Sequence, residues 1–443
     1  MQSSLLKKIS KVSLSLQKKI LQKGILQKRD LSFAKILLLK CASYLGDRLT
    51  GNNNCEYIRA VQRNGEEAPK ILFIDDRMPY DFLGAGYPRS RVILNILSKL
   101  KVNASFIPLG FACNDSPSMI HSHFPDNIDY LLSLNKDSIF SFLYKKRNFF
   151  DAIIISRPHN MEYLYGVLKY LKRYKPSLKI IYDAEALICY REILKQETLG
   201  QPFSTEKQKM LIDQEKALFS VADSIYAVSP SEKKLIQNYY PDTPISVISH
   251  CVESHQPING FHKRENFLFI GRLNENDSPN VDSLIWFCQE IWPSIRKQLP
   301  QAKLDIVGLA EASQLKPLKN QDDINFHGRQ DCLDEFYAAA KVFIAPTRFA
   351  AGIPLKVCGA ASHGIPIVMT EVLLTQLDWP KYSSLGVHWQ QSSQFTQTCV
   401  KIYNDEEYWN EMSQQGLEYI NTQYTKEQMY RSFVTSLEQL NLL

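Results

Sequence analysis

Short apolar runs, each followed by a stretch with helical spacing, recur along residues 71–369. This alternation limits the fold more than any other feature of the chain. A parallel strand cannot be reached through a tight turn, so strand–helix–strand repeats imply parallel sheets with helices packed on both faces. The expected strands of the first half are 71–75 (ILFID), 102–107 (VNASFI), 151–156 (DAIIIS), 179–183 (KIIYD), 224–228 (SIYAV) and 245–248 (ISVI). Helices are expected over 90–100, 163–174 and a long stretch ending near 219. A polar break at 254–264 interrupts the pattern, which restarts with strands 267–271, 303–308, 324–328, 342–345 and 367–369. Helices 281–298, 331–340 and 353–363 lie between them. Two doubly wound domains joined by a short linker follow, with the ligand held between them at the carboxyl ends of the strands.

Composition supports a globular chain. Of 443 residues, 44% are apolar and 22% charged, which excludes disorder, and no apolar stretch is long enough to span a membrane as a helix. The net charge is +6, but residues 1–40 carry ten Lys/Arg against Asp30 alone. The rest of the chain is slightly acidic, so no nucleic-acid surface is expected across the fold. Nine cysteines stand without C-x-x-C or zinc-type spacing, and read as reduced thiols in a cytoplasmic protein with no bound metal. The N-terminus lacks the apolar core of a secretory signal.

Residues 1–66 read as a separate arm and linker. Leu5, Ile9, Val12 and Leu16 share one helical face and the lysines fall largely elsewhere, so the arm suits an anionic membrane surface or a partner, or a solvated helix packed on its own protein. Residues 51–69 are polar and turn-rich. The expected division is 1–66 for the arm and linker, 67–257 for the first α/β domain and 258–443 for the second.

In the second half, FLFIGRLNENDSPNVDSLIWFCQEIW is followed by FHGRQDCLDEFYAAAKVFIAPTRFAAGIPLKVCGAASHGIPIVMT. The first half contains ILFIDDRMPYDFLGAGYPRSRVI, IIYDAEALICYRE and SIYAVSPSEKKLI. In this order, over about 68–420, these segments resemble glycosyltransferase family 4. The resemblance implies a GT-B architecture of two Rossmann-like domains around a cleft. The first domain binds the acceptor and the second the nucleotide-sugar donor, and the last helix crosses back onto the first. It implies metal-independent, retaining transfer of a hexosyl group from a UDP-, GDP- or dTDP-sugar to a glycan or lipid-linked acceptor, without a separate cofactor. The setting it implies is surface polysaccharide synthesis, with the protein cytoplasmic or peripheral on the inner membrane face.

The resemblance also assigns residues. Arg272 follows the strand-end Gly271 and matches the arginine set against the diphosphate, whose oxygens suit a guanidinium fork. Arg348, Gly352 and Lys356 flank a helix start near 353, where free N–H groups favour a phosphate. Gly308 and Arg329 complete the expected donor site. In the first half, Gly86 closes the Gly84–Ala85–Gly86 turn, and Asp183, Glu185 and His159 are the candidate acid–base residues. The family's pair of glutamates is missing, since positions 351 and 359 hold Ala and Gly. That loss sustains an alternative: a non-catalytic domain of the same fold that binds a glycan, a nucleotide or a partner transferase.

Overall fold

The computed structural model describes residues 57–83, 86–110, 115–379 and 386–443. The basic helix expected over 1–40 lies outside the described residues, as do Gly84, Ala85, Cys41, Cys55 and Cys113. The other six cysteines are free, and no described cluster of His, Cys, Asp or Glu could hold a metal ion. No helix among the described residues is long and apolar enough to cross a membrane.

The first half builds an eight-stranded sheet. Its strands are β1 (Tyr57–Ile58), β2 (Lys70–Asp75), β3 (Asn103–Pro108), β4 (Asp129–Leu131), β5 (Ala152–Ser156), β6 (Lys179–Asp183), β7 (Ser224–Ala227) and β8 (Ile245–Val247), in the order β1-β4-β3-β2-β5-β6-β7-β8. Every neighbouring pair is parallel except β1 with β4 at the edge. The central strands are buried on both faces, as unbroken runs such as AIII require. Four helices of this half matter below: α1 (Tyr87–Leu97), α2 (Ile139–Lys145), α3 (Pro158–Tyr174) and α4 (Ile188–Thr198), with α5 (Pro230–Gln237) after β7. The long helix expected before residue 219 is two, Ile188–Thr198 and Thr205–Phe219. Gly200, at φ +73°, and Pro202 break it.

The second half builds a six-stranded parallel sheet from β9 (Asn266–Ile270), β10 (Leu304–Val307), β11 (Ile324–Gly328), β12 (Ala340–Ala345), β13 (Ile367–Thr370) and β14 (Gly386–Val387), in the order β11-β10-β9-β12-β13-β14. Its first helix, expected as one piece over 281–298, is α6 (Pro279–Trp286), a π turn (Phe287–Ile291) and Trp292–Gln298, with Pro293 at the resumption. Helix α7 (Leu355–Ser362) follows β12. The last helix, α8 (Lys426–Glu438), leaves this half and packs on the first sheet, where Met429, Phe433, Leu437, Leu440 and Leu442 join the core around Phe73, Phe106 and Tyr226. Tyr226 and Ser436 hydroxyls meet at 2.8 Å inside that core. Both sheets therefore turn their carboxyl ends toward one seam, which the crossing chain closes.

Candidate active site

On the second-half side, three glycines meet at the carboxyl ends of adjacent strands. A Cβ on Gly308, whose φ is +141°, would lie 1.9 Å from the carbonyl oxygen of Gly271, and the Gly308 N–H donates to Gly328 O at 2.8 Å. No side chain fits there, so the backbone stays bare at the strand ends. Gly271 in turn leaves room for Asn280, in the first turn of α6, whose side-chain carbon would stand 3.0 Å from a Cβ at 271. Asn280 donates to the Arg272 carbonyl at 3.2 Å and accepts from Lys356 Nζ at 2.7 Å. Lys356 stands in the first turn of α7, so one amide ties two helix starts to the end of β9. Burial alone pushes the Lys356 amine down to about 7. The Arg272 side chain is exposed and makes no ion pair among the described residues.

On the first-half side, the ends of β2, β5 and β6 carry a charged network. Asp183 is fully buried and receives both guanidinium nitrogens of Arg89, at 2.6 and 2.9 Å. Arg157, held at φ +79°, donates to Asp75 at 2.7 Å and pairs with Glu185 at 2.9 Å, its guanidinium 4.3 Å from the Tyr87 ring centre. Asp76 pairs with His159 at 2.6 Å and accepts from Asn160 at 3.1 Å. Burial opposes ionisation of Asp76, but His159 beside it holds the carboxyl below the usual range. Glu185 goes the other way. Its burial raises it to about 8, against the pull of Arg157 and with help from Asp75 and Asp183. Two carboxyls at one strand-end cluster are thus shifted in opposite directions, Asp76 down and Glu185 up. Gly86, at φ +84°, lets the chain pass over this group, since a Cβ there would be 2.9 Å from a Glu185 carboxylate oxygen.

The halves touch at Gly352, whose φ is +77°. A Cβ on it would come within 3.3 Å of the Glu185 carbonyl oxygen. The Gly352 N–H donates to Glu232 Oε1 at 3.3 Å, and the Leu187 N–H donates to the same oxygen at 3.4 Å. The other Glu232 oxygen is buried without a hydrogen-bond partner among the described residues, and burial lifts this carboxyl to about 7. Lys195 of α4 reaches Asp277 at 3.3 Å from the same seam.

Residues 264–405 match the family described as glycosyl transferases group 1. Over that segment, about a third of the chain, the sequence is similar to group 1 glycosyltransferases, and the described residues have a GT-B fold. Solved structures with the same architecture include sucrose-phosphate synthase from Thermosynechococcus elongatus. That match has 15% identity and TM-score 0.61, and covers 84% of this chain and 99% of that one. HepE of Anabaena in complex with UDP and glucose matches at 13% identity and TM-score 0.54, over 84% and 100%. The α,α-trehalose 6-phosphate synthase of Burkholderia multivorans matches at 11% and 0.57, over 84% and 97%. At these identities the likeness is one of fold. No curated protein matches by sequence.

Within this glycosyltransferase fold the expected site residues divide. Gly271, Gly308, Lys356 and the Arg272 backbone form one cluster, and Gly352, Gly86 and Glu185 meet across the seam from it. Asp183 is corrected: Arg89 takes both its oxygens in the core, so it cannot orient an acceptor. Arg348 is corrected too. Its Nε and one Nη go to Asp282, at 2.9 and 2.5 Å, so two of its three nitrogens already meet a carboxylate. Asp282 lies two residues beyond Asn280, about 200° round the helix, so Arg348 and Lys356 flank different sides of α6. Arg329 extends into solvent after β11, 3.7 Å from exposed Asp331. His159 is half exposed at the start of α3, with Asp76 behind it. A Cβ at position 359 would meet the Tyr337 hydroxyl at 2.9 Å, so a side chain there requires Tyr337 to shift.

Sequence reading missed Asn280, Asp75, Asp76, Arg157, Tyr87 and Glu232. The adjacent acids Asp75 and Asp76, closing a buried strand, were a usable signal. Glu232 had none, because its partner Gly352 is 120 residues away.

Proposed function

We propose that this chain transfers a sugar from a nucleotide-diphosphate-sugar to a hydroxyl of a glycan or lipid-linked acceptor, in surface polysaccharide synthesis. The observation that carries this reading is the Lys356–Asn280–Arg272 cluster. It joins a half-buried amine, two helix starts and a bare glycine cradle at one set of strand ends, opposite Glu185 and His159. A diphosphate entering there meets the positive end of α7 and the Lys356 amine, and its charge favours protonated Lys356. HepE, of like fold, is described with UDP and glucose bound, which supports a nucleotide donor. Arg272, exposed beside the cradle, completes the diphosphate site.

In this reading the acceptor hydroxyl lies near Glu185 and His159. His159, with Asp76 behind it, positions the hydroxyl. Glu185, protonated near neutral pH, donates a hydrogen bond to the reacting oxygens. The departing diphosphate takes up the acceptor proton, transfer retains the anomeric configuration, and no metal or separate cofactor takes part. The basic arm, residues 1–40, holds the protein at the inner, anionic membrane face.

A second reading rests on one observation. Tyr337 fills the place of a carboxylate at 359, so the fold holds a nucleotide or glycan without transferring it.

A panel of UDP-, GDP- and dTDP-sugars, with release of free nucleotide diphosphate as readout, decides between them. One donor should release its diphosphate, Glu185→Ala should slow that release about tenfold or more, and Glu185→Gln, which keeps a donor, should slow it far less. Binding without release for every donor would favour the second reading.

A further inference from the structure

Charge is distributed unevenly through the folded chain as well as in the arm. Of the chain's 52 Lys/Arg and 46 Asp/Glu, residues 1–40 hold ten and one, and residues 136–179 hold ten and three, which leaves an excess of ten acids elsewhere. Within 136–179 only Arg157 belongs to the active site. The fold collects most of the others at one pole, the amino ends of β2, β5 and β6, because α2 ends just before β5, α3 ends just before β6, and Lys70 opens β2.

Aromatic rings are set among these cations. Tyr144, Tyr170 and Tyr174 stack in series, with ring centres 5.9 and 6.3 Å apart. The Arg147 guanidinium lies 5.0 Å from the Tyr144 ring centre and 4.8 Å from that of Tyr174. Lys146 and Lys70 lie 4.7 and 5.9 Å from the Phe149 ring centre. Phe149 and Tyr174 are 40% and 46% exposed. Lys172 and Lys175 are paired with Asp223 and Asp151. Lys146, Lys169 and Arg173 are exposed and make no ion pair among the described residues.

We infer that this pole is a docking surface for an anionic lipid membrane. Rings with an apolar body and a polar tip settle at the headgroup level. Lysines and arginines around them are drawn to anionic headgroups within a Debye length. A lysine face that is only solvated has no need of exposed Phe149 and Tyr174 beside it. The tyrosines stack on one another under Arg147, which leaves no open slot for a nucleic-acid base. The inference stands apart from the donor reading, since the pole is at the opposite strand ends. Helix α3 has 17 residues and joins pole to cleft, so a docked protein would hold its cleft about 25 Å from the lipid. A long lipid-linked glycan reaches that height, and the first sugar on its lipid does not.

Co-sedimentation of the full chain with vesicles of about 30% phosphatidylglycerol in phosphatidylcholine tests this at about 0.1 M salt. Lys146→Glu, Lys169→Glu and Arg173→Glu together should lower partitioning about tenfold or more, and Phe149→Ser alone should lower it measurably. The same charge change at exposed Lys263, Lys297 and Lys316 of the second half should do far less. Equal losses from the two triple variants would mean a general charge effect and would overturn the inference, as would no binding to anionic vesicles. So would binding to single-stranded RNA that the vesicles fail to compete away. Unchanged melting temperatures would show that both variants remain folded.

Discussion

At the residue scale, the seam depends on ionisable groups buried without full compensation. Glu232 is the plainest case. Folded, it keeps its proton up to about pH 7, while an unfolded chain releases it near the ordinary 4.5. The native state therefore binds more protons between those values, and stability falls as pH rises through that window. Glu232→Gln keeps an oxygen for the Gly352 and Leu187 N–H groups and cannot ionise. Chemical denaturation at pH 5 and pH 7 should show a smaller loss of stability in this variant than in the parent. An identical loss in both would mean that Glu232 is already ionised in the fold. Lys356 has the opposite sign, since burial holds it near 7 and its stability penalty eases only above that pH. The residue types at the donor cluster were legible in sequence, because Gly271, Gly308 and Lys356 sit at strand ends and helix starts. Their partners were not. Whether a guanidinium meets a ligand or a carboxylate depends on tertiary placement, which here sets Arg348 against Asp282 and Asp183 against Arg89.

At the element scale, every strand expected from the apolar runs is present, with ends shifted by a residue or two. Short β1, β4 and β14 escaped notice because two or three residues carry no period. The helical breaks at Gly200 and at the π turn before Pro293 were missed, since apolar spacing runs on across both. The crossing helix α8 makes the strongest claim about an element. Phe433 is fully buried against Tyr226, ring centres 5.7 Å apart, although it follows the second half in sequence. Phe433→Ala should destabilise the protein by about 3–5 kcal/mol. Hydrogen exchange should quicken in β7 and β8, which belong to the first sheet. Unaltered exchange there, with faster exchange confined to the second half, would refute the crossing's role.

At the scale of the whole molecule, two parallel sheets present their carboxyl ends to one seam, and the chemistry sits on both sides of it. Gly352 against Glu185 and Glu232, and Lys195 against Asp277, hold that seam shut. The central claim is that the Lys356–Asn280–Arg272 cluster holds a diphosphate. Calorimetric titration of the full chain with UDP, GDP and dTDP tests it most directly. One of the three should bind. Lys356→Ala and Arg272→Ala should each weaken that binding by about 1.5–3 kcal/mol, the scale of a hydrogen bond to a charged group. Arg348→Ala, whose guanidinium belongs to Asp282, should change it far less. Binding that survives Lys356→Ala undiminished, or no binding of any of the three, would contradict the account.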